Sequence, residues 1–138
     1  MKIFSAYARN AAAAALLVVS AMGLVAVPAF ADQTWAAIAI SGQTGAWGRG
    51  FDWPTQAGAE ARALSECGKF ATDCVVAGWA HGQYCVAVAV KRYQDGTVAW
   101  GSNSAPTLVA ARAAAMEACA KYAKGPCDDV VADVCAQN

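Results

Sequence analysis

Thr55-Gln-Ala-Gly-Ala-Glu-Ala-Arg-Ala-Leu-Ser-Glu-Cys-Gly-Lys-Phe-Ala71 is followed, 52 positions on, by Thr107-Leu-Val-Ala-Ala-Arg-Ala-Ala-Ala-Met-Glu-Ala-Cys-Ala-Lys-Tyr-Ala123. The two stretches align without a gap, with Thr55/Thr107, Cys67/Cys119, Lys69/Lys121 and Ala71/Ala123 identical. Pro54 falls on Pro106, and Phe70 falls on Tyr122. An internal repeat of this length restricts the fold more than any single motif.

The match extends outward from the quoted stretches. Trp47-Gly48 corresponds to Trp100-Gly101 one residue out of step, which places a single insertion before Thr55. Further back, Trp35-Ala-Ala-Ile-Ala-Ile40 corresponds to Cys85-Val-Ala-Val-Ala-Val90. Each copy reads strand, strand, helix, strand. The opening strands, Trp35 to Ile40 and Cys85 to Lys91, alternate and are β-branched. Gly42 to Gly45 turns the first hairpin, and Asp95-Gly96 is a two-residue turn for the second. Pro54-Thr55 and Pro106-Thr107 stop the return strands and offer threonine N-caps.

Helices are predicted over Gln56 to Cys67 and Leu108 to Tyr122. Leu108, Ala111, Ala115, Cys119 and Tyr122 form one stripe, and Ala59, Ala63, Cys67 and Phe70 the matching one. Closing strands run Val75 to Ala80 and Val130 to Cys135. The expected class is α+β: two ββαβ repeats, about 34–80 and 84–136, in a mostly antiparallel six-stranded sheet with two helices on one face. In the opening strands Ile38, Ile40, Val88 and Val90 point one way, and Ala37, Ala39, Ala87 and Ala89 the other. If the branched set meets the helices, a smooth alanine surface is left for solvent or for a second copy.

Ahead of the repeat, residues 1–31 read as a secretory signal. Lys2 and Arg9 give a basic start, Ala11 to Val27 is uncharged and apolar, and Ala29-Phe30-Ala31 is an A-x-A cleavage site. An uncleaved anchor is the rival reading, but 17 apolar residues running into Pro28 fall short of the roughly 20 a span needs. Cleavage of 31 residues from 138 leaves a single domain of 107, residues 32–138. It carries 8 basic and 10 acidic groups once Lys2 and Arg9 are gone. That balance argues against a nucleic-acid ligand and against docking to anionic membrane. The expected location is periplasmic or secreted.

Six cysteines, all after the cleavage site, suit an oxidising compartment. Fifteen pairings are possible, and repeat symmetry selects among them. Cys67 and Cys119 each close a helix, and Cys74 and Cys127 open the next strand, giving Cys67–Cys74 and Cys119–Cys127. Cys85–Cys135 remains. Zinc is the competing account, but C-x6-C and C-x7-C spacings and a single histidine, His81, do not match zinc-site patterns. No metal or cofactor is expected.

The order W-A-A-I-A-I, then W-G, then P-T-Q-A-x-A-E-A-R-A-L-x-x-C-G (Pro54 to Gly68) resembles the family known as domain of unknown function 4189. The likeness covers nearly all of the mature chain, with A-E-A-R-A-L-x-x-C its most specific part. The second copy keeps the alanine rhythm and the cysteine but loses the A-E-A-R order. The resemblance implies small exported bacterial proteins, often two-copy, with a disulfide-stapled α+β fold. It carries over no catalytic residue and favours interaction over metabolism.

Chemistry concentrates in Trp47-Gly-Arg-Gly-Phe-Asp-Trp53, read as a glycine-spaced loop. Its extended alternation would put Trp47, Arg49, Phe51 and Trp53 on one side. Trp47, matched by Trp100, reads as a repeated core anchor, and the bland account pairs Arg49 with Asp52. The second copy lacks Arg49, Phe51 and Trp53, which are suited to a protein or glycan partner. Trp79 and His81 fall in the connection between copies, where His81 reads as an exposed loop residue. Gly48-Arg49-Gly50 lacks the order of a phosphate loop. Asp128-Asp129 reads as a solvated turn, and in a strand the two would face opposite sides and could not flank one glycosidic bond.

The leading expectation is a non-enzymatic binding module using Arg49, Phe51, Asp52 and Trp53, with Trp79 and His81 nearby. A small envelope hydrolase using His81 with Asp73 or Asp95 is the alternative, although no nucleophile elbow occurs. A structural homodimer joined through the alanine surface is the third.

Overall fold

The computed structural model describes residues 33–137, so the leader read over residues 1–31 lies outside the described residues. The first copy forms β1 (Trp35–Ser41), β2 (Trp47–Trp53), α1 (Gln56–Cys67) and β3 (Cys74–His81). The second forms β4 (Cys85–Arg92), β5 (Val98–Ala105), α2 (Leu108–Tyr122) and β6 (Asp129–Cys135). The α+β class, the two ββαβ units and the antiparallel pairing are as expected. The strands divide into two three-stranded sheets, ordered β2-β1-β3 and β5-β4-β6, instead of joining in one. Each opening strand is flanked on both sides by strands of its own copy, so neither β1 nor β4 has an edge left for the other copy.

Residue size decides how the layers stack. Ile38 and Ile40 of one sheet and Val86, Val88 and Val90 of the other are fully buried in one cluster between the sheets. Removing each such side chain from water contributes about 1.5–3 kcal/mol at most. The alanines face outward, and each sheet carries its own helix there. Ala37 and Ala39 pack on Ala59, Ala63 and Cys67 of α1, while Ala87 and Ala89 pack on Ala111, Ala115 and Cys119 of α2. The order is helix, sheet, sheet, helix, with no bare alanine face. The third reading, a homodimer joined through a bare alanine face, therefore loses that surface.

Glycines in the return strands set the helix height. A Cβ on Gly48 would strike the backbone of Ala63 and Cys67, and one on Gly101 would strike that of Ala118 and Cys119. Thr55 and Thr107 cap the helices as expected, accepting from Gly58 N at 3.1 Å and Ala110 N at 3.2 Å. The buried stripes stop short of their predicted ends: Phe70 and Tyr122 are 73% and 76% exposed, and Ala123 is buried instead. Asp95-Gly96 lies in a wider hairpin than expected. Tyr93 and Thr97 close it, Gly96 N–H returns to Tyr93 O, and Gly96 takes φ +88°. Three residues therefore turn this hairpin, with glycine in the left-handed position.

The disulfides are Cys67–Cys74, Cys85–Cys135 and Cys119–Cys127, and no cysteine is free. No helix among the described residues is long and apolar enough to cross a membrane.

Candidate functional site

The segment Trp47–Trp53 is not a loop. It is β2, an edge strand, and its glycines serve helix packing rather than turning. Gly48 and Gly50 are buried against α1, so Trp47, Arg49 and Phe51 project from the opposite face. Trp47 and Phe51 are 38% and 43% exposed. Trp47 is therefore not the core anchor that its match with Trp100 suggests. Trp100 alone packs partly buried against the inter-sheet cluster.

Arg49 does not pair with Asp52. Its guanidinium donates to Asp133 O at 3.2 Å and lies 5.9 Å from the Trp47 ring centroid. Asp52 is the single insertion inferred from the repeat. The β1–β2 register runs from Ala37↔Gly50 to Trp35↔Trp53, while β4–β5 pairs Ala87↔Asn103 and Cys85↔Ala105 without a break. One extra residue therefore sits in β2, and Asp52 holds φ +59°, an uncommon backbone state for a residue with a side chain. The bulge breaks the alternation, so Trp53 does not share the face of Phe51. Its ring lies over Gly58 at the start of α1.

Trp53 thereby joins a second group. Trp35 pairs in register with Trp53 on one side and His81 on the other. The His81 ring stacks on Trp35 with centroids 4.1 Å apart, and Trp79 is tilted against Trp35 at 5.3 Å. Trp79 and His81 belong to β3 rather than to a connecting loop. In the second copy the same register position holds the Cys85–Cys135 bridge. The stacked Trp35–His81 pair stands where the other copy has its long staple. The repeat alignment already sets Trp35 against Cys85, but only the β-register sets His81 against Cys135.

The acid partners considered for His81 are engaged elsewhere. Asp73 accepts from Ser41 Oγ at 2.5 Å and from Gln43 N at 3.0 Å. Those bonds, the Ser41 hydroxyl foremost, hold its carboxyl below the usual aspartate range. Asp95 accepts from the Thr97 hydroxyl and N–H inside its hairpin, which lowers its pKa likewise. Asp128 and Asp129 both address Arg92, through its N–H at 2.7 Å and its guanidinium at 3.9 Å.

Along the outer edge of β2 runs a groove of about 1000 Å³. The β1–β2 hairpin closes one end, and Arg62, Glu66 and Phe70 stand over it from the α1 side. Arg92 reaches it from β4. Sequence reasoning missed Arg62, Phe70 and Arg92, which come from other elements. Glu66 binds Arg62 and Lys69 at 2.6 Å each, and the Lys69 contact foremost lowers its pKa.

The two edge strands differ at matching places. On β5, Ser102 and Ser104 donate to Ala77 O and Trp79 O of β3, closing the seam between the sheets. Register equates Ser102 with Arg49 and Ser104 with Phe51. On β2 the seam therefore carries a cation and a ring in place of two hydroxyls. A smaller hollow of about 200 Å³ lies there, between these two side chains and β6.

A family model described as "Domain of unknown function (DUF4189)" matches residues 35–135. Protein Rv1269c of Mycobacterium tuberculosis and Protein Mb1300c of Mycobacterium bovis are each 41% identical over 81 residues, 59% of this chain. The match spans 57% of each relative's own length, a little over half. No solved structure matches the chain.

Proposed function

The chain belongs to the DUF4189 family, whose description names no reaction, and on that premise we propose that it is an exported, non-enzymatic binding module that takes its partner in the β2 groove. Three disulfides suit an oxidising compartment, and the leader reading supplies the route of export. One observation carries the reading: a duplicated scaffold keeps a sealed seam on β5 and a 1000 Å³ groove lined by Trp47, Arg49 and Phe51 on β2. Exposed aromatic rings beside arginine favour recognition, because they bring large contact area at little entropic cost. His81 stacked on Trp35, with Asp73 and Asp95 engaged elsewhere, supports binding over hydrolysis.

The test is capture by the oxidised mature protein compared with Arg49→Ala/Phe51→Ala. Capture should be lost while Tm moves by no more than about 3 °C, as for surface substitutions. Undiminished capture by the double variant would remove the groove from the function. A glycan partner is the second reading, favoured by the row Trp53, Trp35, Trp79 and His81 across β1, β2 and β3. Oligosaccharide binding lost in Trp53→Ala/Trp79→Ala but kept in Arg49→Ala/Phe51→Ala would decide for that row.

A further inference from the structure

We propose that the occupant of the groove is an extended acidic peptide segment that adds to β2 as a fourth strand. This rests on the binding-module reading above and names its partner.

Backbone geometry supplies the first argument. Ser41 N–H donates to Ala46 O at 2.8 Å, which makes 41/46 a hydrogen-bonded pair. Pairs alternate along an antiparallel ladder. With Ile40↔Trp47, Ala39↔Gly48 and Ile38↔Arg49 in register, Gly48 bonds to β1 while Trp47 and Arg49 turn their N–H and C=O groups outward. The second copy checks this parity independently. The same counting on β5 turns Val98 outward, and Val98 N–H donates to Gly42 O at 2.9 Å, off the β4 side. Among the described residues the outward groups of Trp47 and Arg49 have no backbone partner. An unpaired strand edge is a template for another chain. The bulge at Asp52 ends it, leaving Trp47 to Phe51 as the length available. At about 3.3 Å per residue, that accepts four or five residues of peptide.

Charge supplies the second argument. The groove is lined by Arg49, Arg62 and Arg92 against Glu66 alone. Glu66 is already bound to Arg62 and Lys69. Among the described residues Arg49 meets only a carbonyl oxygen and the Trp47 ring, and Arg92 only a carboxylate 3.9 Å away. This cationic lining stands on a mature chain with more acidic than basic residues. Arginine pairs carboxylates in a planar fork, so a strand presenting Asp or Glu on alternate residues would place them toward Arg49 and Arg92. Trp47 and Phe51 would flank its backbone with apolar cover.

The test uses the disulfide-intact mature protein and three synthetic octapeptides. One alternates Val and Glu, one alternates Val and Lys, and one is the Val/Glu peptide with alternate amides N-methylated. The Val/Glu peptide should bind and protect the Trp47 and Arg49 amides from hydrogen exchange. N-methylation and Arg49→Glu should each weaken it by about tenfold or more, from lost backbone bonds and lost charge. Equal binding of the Val/Lys peptide, or indifference to N-methylation, would overturn strand addition. Oligosaccharides shifting the Trp47 and Arg49 resonances while no peptide binds would also overturn it and leave the binding module standing. Silence of the groove toward every probe, with capture unchanged in Arg49→Ala/Phe51→Ala, would take down both.

Discussion

Asp73 ties the first hairpin to the start of β3, accepting from buried Ser41 and from Gln43 N–H. Since these bonds favour the charged form, its folded pKa lies below the unfolded one. By linkage, the stabilisation is complete above the ordinary aspartate range and fades as pH falls through the lower folded value. Asp73→Asn should therefore be less stable than the parent at neutral pH. Denaturant titrations at a series of pH values should show that gap closing in acid. A gap that widened toward low pH would mean the carboxylate is not what the turn uses. His81 teaches a different lesson at this scale. A lone histidine between two repeats invites a catalytic reading, yet it packs on Trp35 at the place where the other copy carries a disulfide.

At the scale of elements, the helices lie so low on their sheets that the return strands beneath have no room for a Cβ at Gly48, Gly50 and Gly101. Gly101→Ala would drive a Cβ into the α2 backbone at Ala118 and Cys119, where neither side can yield as a flexible side chain would. Overpacking of this kind costs about 1–3 kcal/mol or more, and Gly48→Ala should cost a similar amount through α1. Urea denaturation of the two variants measures both. Losses under 0.5 kcal/mol, as at an ordinary surface site, would show that the helices can lift off. Much of this scale is legible in the residues: the repeat, the helix spans, the threonine caps and the inserted residue. Two things are not. Alternation separates Ile38 from Ala39 but does not say which face a helix will cover, because both sets are apolar. Close approach decides it, since only alanine beside glycine admits a helix at this distance. The same ambiguity turned Gly48 and Gly50 into apparent loop residues, hiding an edge strand. The groove depends on that strand and on Arg62 and Arg92, which no local pattern brings together.

At the scale of the molecule, two helix-covered sheets meet over a modest aliphatic core, and the disulfides must hold what so small a domain cannot. The bridges are not equivalent. Cys67–Cys74 and Cys119–Cys127 close sequence separations of 7 and 8 and tie each helix end to the next strand. Cys85–Cys135 closes a separation of 50 and links the start of β4 to the end of β6, enclosing the whole second copy. Restricting the unfolded chain by loop closure gives about 2.5 kcal/mol for each short bridge and about 4 kcal/mol for the long one. Three double Cys→Ser variants, one per bridge, compared by urea denaturation should rank in that order. The first copy does without a long staple because Trp35 and His81 fill its place, so it should remain protected in hydrogen exchange when Cys85–Cys135 is removed. Equal losses from all three variants would mean that contacts around each bridge in the folded state, rather than the freedom removed from the unfolded chain, set its contribution. In that case the groove on β2 would be supported chiefly by Cys67–Cys74, the bridge of its own copy.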